Sequence, residues 1–571
     1  MGAVIPVMIL IPVIGVVLIG LTPRSREELF RPIAIVTSAG TAAVAGYMFT
    51  QFDKGDAGYQ FVVERSWIPD LGVNLSFGID GISLILVLLG AFIFLVAIIG
   101  ALPTHDPKPY YAMLLLLQAG SIGVFTTTDL LVFFVFFEIV LVPLYFLIGM
   151  WGHGRRQYAA TKFFLYTMFG SATMLVGIFA LAIMQSNASG DPLTFSIPEI
   201  TDNLAISTSA GRWIFVALGL AFAVKVPLFP LHTWLPDAHT EAPTAGSIDL
   251  AAVLLKFGTY GFLRLGLQML PEAAVWAAPV MMTLGVIGIT YGAIVAAMQK
   301  DLKRIVAFSS IAHLGFIVLG VFSVTTEGLD GSLLVVLNHG ITTGALFLLI
   351  GMIYERRHTR DIAKLNGMQR SAPILAAFFT ISMFASIGLP GLNGFPGEFL
   401  SLLGGFAAAR WWAVVATTGV IFAAIYLLWA YQRIFHGPPD EATLKMPDLR
   451  TREIAVMVPM VAVMFFLGFY PTPLLERMEP SVKAVVEHVE DSVPGFEAPT
   501  PRSIDHQTEA VGEDTEPAGD GDEESLGDEE GLGESSGSTG ITDAADDGPA
   551  SAPAPTGSAG GGSTSSGDGG R

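Results

Sequence analysis

The 571-residue sequence contains no cysteine. A chain without thiols has no disulfide framework, no thiolate metal site and no iron–sulfur cluster of its own. Charge is the second scarcity. Only 14% of residues are Asp, Glu, Lys or Arg, against 52% hydrophobic, which excludes an ordinary water-soluble domain. Basic residues are nearly missing from the C-terminal region. From Glu487 onward, 21 acidic side chains face two arginines, Arg502 and Arg571. The preceding body, with 28 Lys/Arg and 29 Asp/Glu, is close to neutral, so the formal charge of −20 is local. Residues 487–571 are mostly Gly, Ser, Pro, Ala and acid; they cannot bury enough apolar surface to fold and are expected to be disordered. Missing too are a Walker A loop, a dinucleotide fingerprint, an HExxH motif and any dense cluster of metal ligands. No nucleotide, nucleic acid, metal or resident cofactor is expected.

What is present is a succession of apolar runs near the ~20 residues that cross a bilayer as a helix. The expected fold class is an all-α polytopic membrane protein of about 14 spans: 3–21, 32–51, 82–102, 110–127, 129–150, 160–185, 212–236, 244–268, 274–298, 305–325, 331–353, 373–405, 411–433 and 453–470. The opening MGAVIPVMILIPVIGVVLIGL lacks a basic flank and a small-residue cleavage site, and is expected to be a retained first helix. Lys and Arg crowd alternate loops, such as Arg24/Arg26/Arg31, Arg155/Arg156, Lys300/Lys303/Arg304 and Arg356/Arg357/Arg360, and are sparse in the others. By the positive-inside rule the rich loops are cytoplasmic and both termini lie outside. Spans four to eight (110–270) and nine to thirteen (271–435) form two groups of five, the fourth span interrupted in each: KVPLFPLHTWLP in one, SIGLPGLNGFPGEF in the other. Five is odd, so the second copy is expected to be inverted, a layout that points to a transport pathway near the midplane. Residues 1–109 precede the repeats, and 436–486 hold the last span and its exit.

Against this apolar background a few ionisable residues stand out. Lys225 and Lys256 lie inside membrane-length segments, where a lysine facing lipid costs at least ~2.5–3.5 kcal/mol. Lys225 adjoins Pro227 and Pro230, which remove amide donors and leave carbonyls seeking partners. Glu138 is the one charge in its span and is the expected ion partner of Lys225. In a dry site an ammonium keeps its proton best beside a carboxylate, so moving the carboxylate away releases it. Lys256, about twelve residues into its span, is too deep to snorkel and is a relay candidate. His313 and His339 follow on consecutive spans. A lone histidine on an apolar face is commonly a packing residue, but two between Lys256 and Glu398 favour a proton relay, since imidazole titrates near neutrality. Glu398 follows Pro396 and Gly397 in the second interrupted span, the pseudo-repeat position of Lys225; a helix-start carboxylate favoured by the dipole is the plainer explanation, and a functional acid is the expectation. Asp249 is read as structural, and His232, Asp237 and His239 as an entry funnel or as helix caps.

The segment KVPLFPLHTWLPDAHTEAPTAGSIDLAAVLLKFGTYGFLR resembles the signature of antiporter-like membrane subunits of proton-pumping NADH:quinone oxidoreductase, respiratory complex I, and within them the subunit M group. YGAIVAAMQKDLKRIVAFSSIAHLGF and GLPGLNGFPGEF add independent matches, and the resemblance covers roughly residues 75–470. It implies a proton-translocating subunit with a charged midplane axis. Glu138 and Lys225 match the coupled pair, Lys256 the connecting lysine, His313 and His339 relay positions, and Glu398 the terminal acid. It implies no cofactor in this chain, partner membrane subunits including L and N, and a bacterial plasma membrane. The L and N subunits and many Mrp-type sodium/proton antiporter chains share the pattern but usually carry lysine where Glu398 stands, so glutamate there favours the subunit M group; an Mrp-type antiporter subunit is the alternative. A purely structural scaffold would have no need of these buried charges.

Overall fold

The structure, a computed structural model, describes residues 2–500. Among them, 13 helices are long and apolar enough to cross a membrane. The fourteenth expected span is present as two shorter helices, described below. The chain is therefore a multi-pass membrane protein. Helices α1 (Val4–Leu21) and α2 (Phe30–Gln51) come first. A hairpin then departs from the all-α expectation: β1 (Gln60–Ile68) pairs antiparallel with β2 (Val73–Ile79), Val63 opposite Phe77 and Arg65 opposite Leu75. Its turn needs Gly72, at φ +66°, where a Cβ would collide with the Leu193 carbonyl.

Helix α3 (Gly81–Gly100) is capped by Asp80, whose carboxylate accepts from Ser83 N–H. After α4 (Pro107–Thr126), Asp129 caps the next span in the same way. That span is split at Val140 into α5 (Leu130–Ile139) and α6 (Leu141–Trp151). Pro143 has no amide hydrogen to give the Ile139 carbonyl, which is why the helix is interrupted just beyond Glu138. The long α7 (Arg156–Ser189) and short α8 (Ile197–Asp202) lead to α9 (Thr208–Lys225). Pro227 ends α9, and Leu228 N–H bonds the Ala223 carbonyl in place of Val224. The Val224 carbonyl is taken by the indole N–H of Trp234 at 2.9 Å, the first residue of α10 (Trp234–Glu241).

The next span runs through α11 (Thr244–Asp249), a π-helical stretch Leu250–Leu254, α12 (Lys256–Gly261) and a second π-helical stretch Phe262–Gln268. Then come α13 (Pro271–Ala297), α14 (Leu302–Ser323) and α15 (Thr326–Arg357). The span 244–268, α14 and α15 are buried along their membrane-length windows and form the centre of the bundle. The second break separates α16 (Pro373–Ile387) from α17 (Gly394–Ala408). It is stitched to α15: Asn338 Nδ2 donates to the Asn393 carbonyl, and Thr342 Oγ1 to Asn393 Oδ1 at 3.3 Å. Helices α18 (Arg410–Phe435), α19 (Glu441–Leu444) and α20 (Thr451–Phe469) follow, then α21 (Thr472–Ser492). The boundary expected at 486/487 falls inside α21: its apolar face, including Val482, Val485, Val486 and Val489, is buried, so packing carries the helix into the acidic stretch. The remainder of the expected tail, from 501, lies outside the described residues.

Candidate functional site

Four of the six residues singled out from the sequence form one cluster, none more than 8% exposed. Lys256 opens α12, directly after a π-helical stretch. Its Nζ donates to the Ala251 carbonyl at 2.6 Å and lies 2.7 Å from His339 Nδ1 on α15. An ammonium can only donate, so a charged Lys256 leaves Nδ1 unprotonated and puts the ring proton on Nε2. That Nε2 has no partner among the described residues. The His313 ring, on α14, has its centroid 5.6 Å from that of His339. His313 Nδ1 is 2.8 Å from Glu398 Oε1 and Nε2 is 3.2 Å from Ser386 Oγ on α16. With Glu398 ionised and the ring neutral, Nδ1 donates to the carboxylate and Nε2 accepts the serine hydroxyl. A cavity of about 10 Å³ is bordered by His313, Asn338, His339, Thr342, Ser386 and Glu398, close to the least volume that takes one water.

The second break places Glu398. It is the fifth residue of α17, just beyond the first turn. A Cβ on Gly388 would lie 2.9 Å from Glu398 Oε2, and Gly388 itself has φ +81°. Any larger residue there would push the carboxylate off His313.

The other two residues are arranged differently. Lys225 is buried at the C-terminal end of α9, and its Nζ has no hydrogen-bond partner among the described residues. It sits over the Phe137 ring, 4.7 Å from the centroid, with the rings of Phe163 and Phe257 each at 5.9 Å. Such faces attract a cation by ~0.5–2 kcal/mol. Glu138 is half-buried, with Oε1 unpartnered among the described residues. The expected Glu138–Lys225 pair is therefore not a contact ion pair. Phe137, one residue before the acid, covers the ammonium, and the two charges act on each other through space.

The residues His232, Asp237 and His239 do not form one funnel. His232 stacks on Phe229 and His239 on Phe347, fully buried. Asp237 pairs outward with Lys162 at 2.7 Å and with Arg304 at 3.6 Å. Asp249 is fully buried, and neither carboxylate oxygen has a partner among the described residues, so no hydrogen bond supports the structural role expected for it. Beyond the spans, His153 in the α6–α7 loop is pushed down to about 4 by burial and by the nearby Lys303 and Arg360 cations.

Sequence reasoning assigned no role to Arg264, which closes the signature segment. Its guanidinium pairs with Asp80 at the start of α3 and also reaches Ser83 Oγ at 3.3 Å. A lone arginine ending an apolar run and a lone aspartate opening another were the available signal. Asn338 and Ser386 were also missed, being neutral and unremarkable until the fold sets them beside the histidines.

The family model described as NADH:quinone oxidoreductase/Mrp antiporter, TM matches residues 127–423. NADH-quinone oxidoreductase subunit M of Rickettsia conorii is 40% identical over 488 residues, 84% of this chain and 98% of that protein. The subunit M of Mycobacterium tuberculosis is 38% identical over 549 residues, covering 89% and 97%. Among solved structures, a chain of respiratory complex I from Thermus thermophilus with bound NADH superposes with TM-score 0.78 at 32% identity, over 85% of this chain and 99% of that one. A chain of the Mrp complex from Dietzia sp. DQ12-45-1b, at TM-score 0.72 and 21% identity over 86% and 99%, shares the fold. With relatives this similar, matched along nearly their whole length and carrying the same membrane fold, the chain belongs to the NADH-quinone oxidoreductase subunit M family.

Proposed function

We propose that this chain is a proton-translocating membrane subunit of an NADH:quinone oxidoreductase complex. The observation that carries the reading is the buried line Lys256–His339–His313–Glu398. Its two ends, Lys256–His339 and His313–Glu398, each join a proton donor to an acceptor, the two imidazole rings lie side by side between them, and ionisable groups inside membrane helices are costly enough to mark function. Subunit M relatives and the fold of a complex I chain support the same reading. A proton on Lys256 passes to His339 Nδ1 while Nε2 releases one toward the small cavity. From there His313 and Glu398 receive it. Upstream, a neighbouring subunit shifts the charge at Glu138, and the proton affinity of Lys225 follows.

The two interrupted spans belong to two inverted five-helix repeats, the basic loops face the cytoplasm, and both termini lie outside the bacterial plasma membrane. Subunits L and N and their neighbours are the partners. Electron transfer occurs in other subunits; a chain with no cysteine and no nucleotide motif offers no thiolates for an iron–sulfur cluster and no phosphate-binding loop.

The test is NADH-driven proton pumping in membranes carrying Glu138→Gln or Lys225→Ala, with assembly and NADH oxidation checked alongside. Loss of most coupled pumping in assembled complex is expected. Near-normal pumping would refute those roles. Copurification with NADH dehydrogenase activity is expected; sodium-gradient-driven transport without it would favour an Mrp-type antiporter subunit.

A further inference from the structure

A wholly apolar groove of about 300 Å³ lies between α2, α3, α15, α20 and α21, bordered by Phe49, Leu89, Phe92, Ile341, Phe466 and Leu474. This is the size of a small-molecule site. It begins where α2 ends and α21 starts. Ile341 lies 15 residues into α15, ~22 Å along its axis, so the groove runs from a membrane edge to about the midplane of a ~30 Å hydrocarbon core. Its inner wall is thin. A Cβ on Gly340 would lie 2.8 Å from Leu89 Cδ1 and 3.2 Å from the Ala252 carbonyl. Gly340 follows His339, and Ala252 follows the carbonyl that holds Lys256, so little more than one layer of side chains separates the groove from the polar line.

The edge of the groove carries a cation with no counter-ion. The Arg477 guanidinium stacks 4.0 Å from the Phe49 centroid, and Nη1 donates to the Pro473 carbonyl at 2.7 Å. Its Nε is buried without a partner among the described residues. The nearby carboxylates are engaged elsewhere: Glu476 with Lys54 at 2.7 Å and Glu479 with Lys483 at 2.6 Å. An apolar slot reaching mid-membrane, with an unpaired arginine at its mouth, has the chemistry of one lipid chain below one phosphate.

We propose that this groove binds a glycerophospholipid, its phosphate on Arg477 and one acyl chain along Leu89, Phe92 and Ile341, and that the chain seals the polar line from the bilayer side. The test uses the intact complex containing the full chain, in phosphatidylcholine nanodiscs doped with phosphatidylglycerol bearing a mid-chain diazirine. After photolysis, adducts are expected on the peptides holding Leu89–Phe92 and Ile341, above those on the exposed Ile421 and Ile425 of α18. Arg477→Gln should lower groove labelling about fivefold, with Arg477→Lys restoring much of it. Leu474→Trp, which fills the mouth, should remove groove labelling. Diacylglycerol with the same diazirine chain should label the groove no more than α18. Groove labelling equal to that of α18, labelling unmoved by both the Arg477→Gln and Leu474→Trp changes, or photo-crosslinks from groove residues to another subunit would overturn the proposal.

Discussion

At the two breaks in the bundle, similar interruptions hold charge in opposite ways. Beside the first, Lys225 has no hydrogen-bond partner among the described residues, rests on Phe137 and is kept from contact with Glu138. Beside the second, Glu398 touches His313, whose ring neighbours His339, which touches Lys256. A proline lies within both breaks, Pro227 in one and Pro390 in the other, but the walls differ. Aromatic faces line the first; Ser386, Asn338 and Thr342 line the second. A charge held by ring faces is free to change partners, because no directional bond must break. A charge held by hydrogen bonds of 2.7–2.8 Å has a fixed donor and acceptor order. The first arrangement suits a switch and the second a wire.

The sharpest way to break the comparison is to cut the wire. Lys256→Met removes the donor to His339 Nδ1 and should lower NADH-driven pumping by about tenfold or more, the scale of a lost proton-transfer group, while NADH oxidation identifies assembled complex. Pumping retained at half or above would make the cluster a packing feature. Next, Gly388→Ala should displace Glu398 and reduce pumping several-fold without removing any titratable group; an unchanged rate would show that the His313–Glu398 contact is dispensable. On the switch side, Phe137→Leu removes the nearest ring from Lys225, a loss of ~0.5–2 kcal/mol, and should weaken coupling without abolishing it. If Phe137→Leu proves as damaging as Lys256→Met, the switch and the wire are one unit. Ser386→Ala deletes a single neutral hydrogen bond worth ~0.5–1.5 kcal/mol and should alter pumping only slightly.

The smallest effect is expected outside the membrane. His153 is held neutral, its pKa pushed down to about 4 from the ordinary 6.5. Protonating it costs the folded state, so this group's contribution to stability is complete above pH 6.5 and is lost as pH falls toward 4. His153→Gln should flatten the acid-side fall in thermal stability across that window and leave pumping at pH 7 unchanged. A pumping defect at pH 7 would place His153 on the pathway.

Length of apolar runs and placement of proline were enough to locate the spans and the breaks around Pro227 and Pro390, though not the split at Val140 ahead of Pro143, because a bilayer demands ~20 apolar residues per crossing and proline has no amide to continue a helix. Lys256, His313, His339 and Glu398 were visible for a related reason: a costly residue stands out against hydrocarbon. Distance was not visible. Nothing in the order of residues says that His339 lies within 2.7 Å of Lys256, 83 positions earlier, or that Phe137 and not Glu138 meets the Lys225 ammonium. The hairpin 60–79 was hidden between two strong span signals, and α21 inside an acidic stretch, since the first is set by strand pairing and the second by packing. Sequence alone determined which residues the membrane makes expensive. Tertiary structure decided which of them touch, because side chains from separate helices meet only once those helices have packed.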